Sequence, residues 1–163
     1  MFRALLILLC ILGCTTWAGA AWPANKEVVV ERRDGTFTIR PDGDVAVVET
    51  WKVRFVGGPF RYAFRAIPLK EADEIDSWSI VSKGLRYAEA DDERAGTFHV
   101  RRSGEERKIT WYFEPTTDQV RTFVLQYTLH GALRMGAPKD ELLWEFIEAD
   151  RDCLLYTSDA ADE

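Results

Sequence analysis

Apolar and polar residues alternate with a period of two along most of the chain, which is the pattern of β-strands with one buried face. The run GTFTIRPDGDVAVVETWKVRF starts at Gly35, and the segment PDGD from Pro41 interrupts it with residues that favour a tight turn. We therefore predict a β-hairpin. Its second strand places these apolar residues on one face: Val45, Val47, Trp51, Val53 and Phe55.

The same face contains one carboxylate, Glu49. A buried carboxylate is costly without a partner, and a guanidinium can satisfy both of its oxygens together. We expect Arg65 to be that partner, because Pro68 ends the next strand and the Gly57-Gly58 bend returns the chain. For Glu49 we favour a structural ion pair, or a position at the solvent-exposed edge of the core, over a catalytic role.

Further strands follow at short intervals, separated by turn residues such as Ser103-Gly104. Each has a predicted apolar face: Phe60, Tyr62 and Phe64; Ile109, Trp111 and Phe113; Phe123, Leu125, Tyr127 and Leu129; Leu142, Trp144 and Phe146. No segment has a helical stripe longer than two turns. The pattern predicts seven or eight strands.

An antiparallel sheet with one wet face must bury the other face against a second layer. We therefore predict an all-β fold, an antiparallel β-sandwich of immunoglobulin-like or fibronectin-like architecture, preceded by a signal-peptide helix. Residues 21–152 are expected to form this single domain, which suits the usual size of a sandwich.

The first segment, MFRALLILLCILGCTTWAGA, has one charge at Arg3, a short apolar run and the triplet Ala18-Gly19-Ala20. This is the layout of a secretory signal peptide, and the apolar run is too short to span a bilayer. Residues 1–20 are therefore expected to be removed on export. The alternative is a lipoprotein signal processed at Cys14, which would tether the domain by a lipid.

The last segment, CLLYTSDAADE, has neither a helical stripe nor sustained alternation. Its back-translation matches the transposase adapter used in preparing short-read sequencing libraries, read through in one frame. We expect residues 153–163 to be an artefact of that adapter. The native frame is then expected to continue and to encode at least one apolar stretch of about 20 residues, long enough to span a bilayer.

All three cysteines, Cys10, Cys14 and Cys153, lie outside the predicted domain, so we expect its core to be stable without a disulfide. The chain contains 20 aromatic side chains (Trp 6, Tyr 5, Phe 9) that can form such a core. The net charge of −6 is spread along the sequence, which argues against a nucleic-acid surface and against a polybasic membrane patch.

The sequence contains no recognisable catalytic, cofactor-binding or metal-binding motif. His99 and His130 both lie on the polar side of their strands, without a Cys, Asp or Glu at ligand spacing, and are expected at the surface. No serine lies in a G-x-S-x-G setting, and no Gly-rich loop opens a helix. We therefore predict no catalytic residue, no cofactor-binding residue, no metal-ligating residue and no cofactor.

Five segments, in order, resemble a known family: FTIRPDGDVAVVETWKVRF, GGPFRYAFRAIPL, ITWYF, RTFVLQYTLHGAL and DELLWEFI. They are similar to the N-terminal part of a bacterial family of predicted membrane proteins, the domain of unknown function 2207 family, over about Val28 to Asp152. The resemblance implies a signal peptide, an extracytoplasmic β-rich domain, then transmembrane helices. It transfers no catalytic residue, because the family has no established activity.

Two functional classes follow. The first is a non-enzymatic extracytoplasmic domain, exported and anchored in the cell membrane through a missing C-terminal region, which binds, senses or assembles with a protein or envelope ligand and not with nucleic acid. The alternative is a secreted or lipid-anchored hydrolase that uses carboxylates. The first class predicts no deep acidic pocket, whereas the second predicts two inward carboxylates facing one cleft.

Overall fold

The structure, a computed structural model, describes residues 26–70, 72–134, 136, 140–142 and 144. The predicted signal peptide, the predicted artefact at residues 153–163 and Phe146 lie outside the described residues. Within the described ranges, no helix has the length and apolar character needed to cross a membrane.

The described residues form an all-β fold, as predicted. The strands are β1 (Glu27–Ile39), β2 (Val45–Val56), β3 (Phe60–Pro68), β4 (Glu74–Ser82), β5 (Leu85–Arg86), β6 (Ala88–Glu89), β7 (Thr97–Ser103), β8 (Glu106–Thr116), β9 (Gln119–His130), β10 (Leu133–Arg134) and β11 (Glu141–Leu142). Seven of these strands have seven residues or more: β1, β2, β3, β4, β7, β8 and β9. The predicted number of strands is therefore confirmed for the long ones.

Two sheets make up the sandwich. The first sheet has the order β1-β2-β9-β4-β5 and the second the order β3-β8-β7-β6, and all pairs of long strands are antiparallel. Immunoglobulin constant domains keep their fifth strand in the sheet of the first strand, and their seventh beside the sixth. In this chain those two positions are exchanged: β7 lies beside β8, and β9 lies between β2 and β4. The architecture is immunoglobulin-like, with a different strand order.

The first hairpin forms where the sequence predicted it. Ile39 pairs with Val45 across the turn, and the amide of Gly43 donates to the carbonyl of Arg40 over 3.0 Å. The Asp42 side chain accepts from the amide of Asp44 over 3.1 Å, and Gly43 has a φ of +89°, which favours glycine. Turn chemistry legible in the sequence therefore fixes the register of β1 against β2.

The core lies between the two sheets and consists of two clusters. The larger cluster contains Trp51, Val53, Phe55, Phe60, Ala63, Ile80, Tyr87, Phe98, Ile109, Trp111, Phe113, Phe123 and Leu125. The smaller cluster contains Val45, Val47, Ile67, Ala72, Ile75, Tyr127, Leu129 and Ala132. Rings from opposite sheets meet in the larger cluster, with Trp111 edge-on to Phe123 at 5.5 Å between ring centroids. The apolar faces predicted for β2, β8 and β9 are confirmed.

The face predicted for β3 is wrong after its first residue. Phe60 is buried, but the pairing of β3 with β8 shifts between Phe60 and Tyr62, which is a β-bulge or a similar irregularity. The shift reverses the alternation, so that Ala63, Arg65 and Ile67 face the core and Tyr62 and Phe64 turn to the outer face. At this irregularity the step from Phe60 to Tyr62 in β3 faces the longer step from Thr116 to Tyr112 in β8, and the side chains beyond it change face.

Two neighbouring corners carry the chain from one sheet to the other. One joins β2 to β3 at Gly57-Gly58, and the other joins β8 to β9 at Asp118, whose carboxylate accepts from the amide of Gly57 over 2.8 Å. Gly58 has a φ of +133°, and a Cβ there would lie 2.9 Å from the carbonyl oxygen of Thr116. The first corner therefore requires glycine at position 58.

The strand predicted near residue 142 is short. Glu141 and Leu142 form β11, which pairs with β10 at Leu133 and Arg134. Leu142 and Trp144 are partly buried against the smaller core cluster, so the predicted contact of these two side chains with the core is confirmed. This small hairpin covers the end of the sandwich that contains the smaller cluster.

Candidate functional site

A layer of polar side chains separates the two core clusters. Along β2, Val47 belongs to the smaller cluster and Trp51 to the larger one, and Glu49 lies between them with no exposed surface. Along β3, Arg65 holds the corresponding place between Ala63 and Ile67. We call Arg33, Glu49, Trp51, Arg65 and Tyr127 the polar layer.

Both carboxylate oxygens of Glu49 accept hydrogen bonds. Oε2 accepts from Nη2 of Arg33 over 3.0 Å and from the indole Nε1 of Trp51 over 2.7 Å. Oε1 accepts from the hydroxyl group of Tyr127 over 2.5 Å. These charge-assisted bonds compensate for burying the carboxylate.

The predicted pair of Glu49 and Arg65 is confirmed as an ion pair, with 3.9 Å between Arg65 Nε and Glu49 Oε2. Arg65 also donates from Nη1 to the carbonyl oxygen of Ala66 over 3.0 Å. The closer guanidinium belongs to Arg33, which the sequence analysis missed. The pairing of β1 with β2 shifts between Val30 and Arg32, and this shift turns Arg33 to the inner face opposite Trp51.

The two arginines also lie against an aromatic ring. The Cζ atom of Arg33 is 4.4 Å from the ring centroid of Trp51, and that of Arg65 is 5.9 Å away. Burial, and then the negative charge of Glu49, raise the pKa of Tyr127. Tyr127 therefore stays protonated, and its hydroxyl group donates a hydrogen bond to Glu49. Both carboxylate oxygens of Glu49 are therefore occupied by donors from the layer itself.

A second polar cluster lies at the surface, around His130. Its Nδ1 is 2.9 Å from Asp44 Oδ2, and its Nε2 is 3.0 Å from Asp76 Oδ1. Asp76, and then Asp44, raise the pKa of His130, while the bond with His130 lowers the pKa of Asp76. Neither aspartate stands at ligand spacing from His130 in the sequence, because Asp44 and Asp76 reach it only through the sheet register.

The side chains of this cluster are not arranged as a serine nucleophile beside a histidine base. The Ser77 hydroxyl group donates to Asp76 and so helps to lower its pKa, whereas the His130 nitrogens face carboxylates. A serine nucleophile needs the imidazole as its neighbour. Among the described residues, no group of three or more His, Cys, Asp or Glu side chains is arranged to hold a metal ion.

The outer face of the second sheet carries aromatic side chains. Tyr62 pairs directly with Tyr112, with 6.0 Å between ring centroids, and His99 lies 5.8 Å from Tyr112 on the other side. Phe64 follows on β3, with Lys108 Nζ 4.0 Å from its centroid. We call Tyr62, Phe64, His99 and Tyr112 the aromatic outer face. Tyr62 and Phe64 were predicted on the apolar face with Phe60, because the irregularity in the pairing of β3 with β8 has no signal in the alternation.

The chain was compared with known proteins. A search for similar curated proteins found no match. Among solved structures, the crystal structure of the group B streptococcus pilus 2b backbone protein resembles this chain with a TM-score of 0.39 and 13% identity, and the match covers 68% of this chain and 47% of that one. This chain therefore spans about half the length of that protein.

The comparison with protein families gives a clear result. The profile described as "Predicted membrane protein (DUF2207) N-terminal domain" matches residues 29–159, which is most of the chain. The match begins inside β1, includes the polar layer and the aromatic outer face, and runs past residue 152, the end predicted for the domain. Because this profile covers most of the chain and nearly all of the β-sandwich, the chain belongs to this family of predicted membrane proteins.

Proposed function

We propose that this chain is a non-enzymatic, extracytoplasmic domain of a membrane-anchored protein, and that it binds a partner at the cell envelope. Membership of a family of predicted membrane proteins supports the membrane association. Binding, sensing and assembly all require a recognition surface on a stable scaffold, and the sandwich offers both.

The bonding of Glu49 carries the non-enzymatic part of the proposal. Among the described residues, Glu49 is the one carboxylate that is fully buried, and both of its oxygens already accept hydrogen bonds. A carboxylate-dependent glycosidase needs two carboxyl groups on either side of a substrate, with one of them able to give up a proton. Glu49 has no second carboxylate facing it within the described core.

An assay with Glu49→Gln tests this part. The purified chain is incubated with a panel of polysaccharides, esters and peptides, and product release is measured for the native chain and the variant. We expect no turnover from either protein, and a lowered unfolding midpoint for the variant. A hydrolytic activity of the native chain that Glu49→Gln abolishes, while circular dichroism shows an intact fold, would overturn the proposal.

A pair of reporter fusions tests the location. Alkaline phosphatase becomes active only when its disulfides form outside the cytoplasm. Fused after residue 144 and expressed with the chain's own first segment, it is expected to be active. A cytoplasmic fluorescent reporter at the same position is expected to be dark. The opposite pair of results would place the domain in the cytoplasm and contradict the proposal.

A further inference from the structure

The aromatic outer face lies on the side of the second sheet that is turned away from the core. Neither Tyr62, Phe64, His99 nor Tyr112 belongs to the larger or the smaller core cluster. Tyr62, Phe64 and His99 keep part of their surface exposed, whereas Tyr112 is 8% exposed. The inner face of the same sheet already supplies core residues such as Trp111, so packing of the two sheets does not account for a second set of rings outside.

These rings form one continuous patch across three strands. The register places Tyr62 opposite Tyr112, and Thr110 between Phe64 on one side and His99 on the other. The ring pairs are tilted by 47° and 48°, so the rings lean on one another. The partly exposed rings of Tyr62, Phe64 and His99 give this patch its accessible ring surface, whereas Thr110 and Tyr112 are buried beneath them.

The charges around the patch are of both signs. Lys108 and Arg101 lie on the outer face itself, and the loop before β7 brings Asp91 within 3.4 Å of Arg101. Glu93 lies beside Tyr112, whose pKa is raised by burial and then by that carboxylate. Lys108, Arg101, Asp91 and Glu93 thus bring both signs of charge to the border of the rings, and neither sign prevails among these four neighbours.

We propose that the aromatic outer face binds a neutral oligosaccharide. A sugar ring has apolar C–H faces, which pack on aromatic rings, and a rim of hydroxyl groups, which both donate and accept hydrogen bonds. The patch matches both features, with partly exposed rings in the centre and charged side chains that donate or accept hydrogen bonds around them. This inference rests on the proposed function and names the class of ligand for it.

The positions of the exposed apolar side chains argue against a protein partner on this face. The large apolar residues with the most exposure among the described residues are Ile39, Leu85 and Val120. They belong to β1, β5 and β9, which are all strands of the first sheet. Protein interfaces centre on protruding apolar or aromatic anchors that fill pockets of the partner. The rings of the outer face lean against each other instead.

Titration with defined sugars tests the inference. The probes are the six-sugar oligomers of β-1,4-glucose, α-1,4-glucose and β-1,4-N-acetylglucosamine, followed by calorimetry and by NMR shifts of the ring protons. We expect at least one probe to bind with a Kd below about 1 mM. The double variant Tyr62→Ala/Phe64→Ala is expected to weaken that binding at least about tenfold.

Two further variants keep the test interpretable. Phe64→Leu keeps an apolar side chain and removes one ring, so it is expected to weaken binding while its unfolding midpoint stays close to that of the native chain. Val124→Ala, on the outer face of the first sheet, is the matched control and is expected to bind like the native chain. Absence of binding by every probe at about 10 mM, or binding that survives loss of both rings, would overturn the inference.

Other outcomes separate this inference from the function on which it rests. One such outcome is that the native chain binds none of the sugars and instead binds polyglutamate, or self-associates, through these rings. In that case the oligosaccharide inference is wrong, whereas the proposed binding role stands. Hydrolysis of a bound probe would instead contradict the non-enzymatic role while supporting the sugar site.

Discussion

At the scale of single residues, the polar layer shows how a charge can be kept inside a β-sandwich. Glu49 has three hydrogen-bond donors and two guanidinium groups around it, and the arginines lie over the ring of Trp51. Breaking such a network leaves a buried charge without compensation, whereas replacing all of it by apolar groups is often tolerated. The layer should therefore be sensitive to single substitutions.

Removal of Arg33 should cost more than removal of Arg65. Arg33→Ala is expected to destabilise the fold by about 3–5 kcal/mol, because it removes the closer charge partner of Glu49. Arg65→Ala is expected to cost about 1–3 kcal/mol, since Glu49 keeps its three hydrogen bonds. Urea unfolding of each variant measures both values. Arg32→Ala, an exposed neighbour on β1, is the control and should stay within about 0.5 kcal/mol of the native chain. A neutral Arg33→Ala would show that Glu49 does not depend on it.

The hydroxyl group of Tyr127 can be tested separately. Tyr127→Phe keeps the ring in the core and removes the donor to Glu49 Oε1, so we expect it to destabilise the fold by about 1–3 kcal/mol. The ring contact with Trp78, at 4.9 Å between centroids, is kept in this variant. Urea unfolding gives the difference, and a variant as stable as the native chain would mean that water replaces the hydroxyl group at no cost.

At the scale of strands and corners, small irregularities decide which residues meet. The shift in β1 turns Arg33 inward, and the shift in β3 turns Arg65 inward and Phe64 outward. Each shift changes the face of every residue that follows it in the strand. The polar layer and the aromatic outer face both result from these two irregularities.

The corner between β2 and β3 should tolerate no side chain at position 58. Gly58→Ala combines a positive φ with a Cβ 2.9 Å from the carbonyl oxygen of Thr116, a backbone atom that cannot move aside easily. Gly43→Ala has a positive φ as well, but nothing lies within 4 Å of its Cβ. We expect Gly43→Ala to destabilise the fold by about 1–2 kcal/mol, and Gly58→Ala to destabilise it by at least about 2 kcal/mol more. If thermal unfolding showed the same loss of stability for both variants, the backbone of the corner would have to move to make room for the new Cβ.

The His130 cluster should make stability depend on pH. The pKa of His130 is raised in the folded state, so its contribution is fully present below the unfolded value of about 6.5 and is lost as the pH rises through the folded value. The pKa of Asp76 is lowered, so its contribution is lost as the pH falls from about 3.9 through the folded value. Glu74, opposite His130 on β4, and Arg40, near Asp76, also face the cluster.

His130→Gln tests this dependence. Because the His130 side chain is 34% exposed, we expect the free energy of unfolding to fall by less than about 1 kcal/mol between pH 6 and pH 9. This fall should disappear in the variant. His99→Gln, on the other sheet, should keep the dependence of the native chain. Urea midpoints across this range measure the effect. A native profile that stays flat above pH 6 would show that the two carboxylates do not hold the imidazolium.

At the scale of the whole molecule, aromatic side chains from both sheets pack against each other in the core. Trp111 of the second sheet and Phe123 of the first are both fully buried and meet edge-on. The pair Glu74 and Arg107 also links β4 of the first sheet to β8 of the second, with 2.7 Å between Oε2 and Nη2. The described core contains no cysteine, so side-chain packing must hold the sheets together.

Truncation of one core ring should measure that packing. Trp111→Ala is expected to destabilise the fold by about 3–5 kcal/mol, because it opens a cavity between the sheets. Leu85→Ala, at a side chain that is 59% exposed, is the control and should change the free energy of unfolding by less than about 0.5 kcal/mol. A small loss for Trp111→Ala, measured by urea unfolding, would mean that the core collapses into the space.

The sequence by itself determined the all-β class, the first hairpin and its turn, and the buried faces of β2, β8 and β9, because alternation and turn chemistry are local properties of the chain. It also indicated that Glu49 would be buried beside Arg65. The tertiary structure decided the rest. Strand order, the two irregularities and the sheet register brought Arg33 to Glu49, Asp44 and Asp76 to His130, and Tyr62 to the outer face. These contacts depend on pairing between distant segments, and a single inserted residue reverses a face without changing the local pattern.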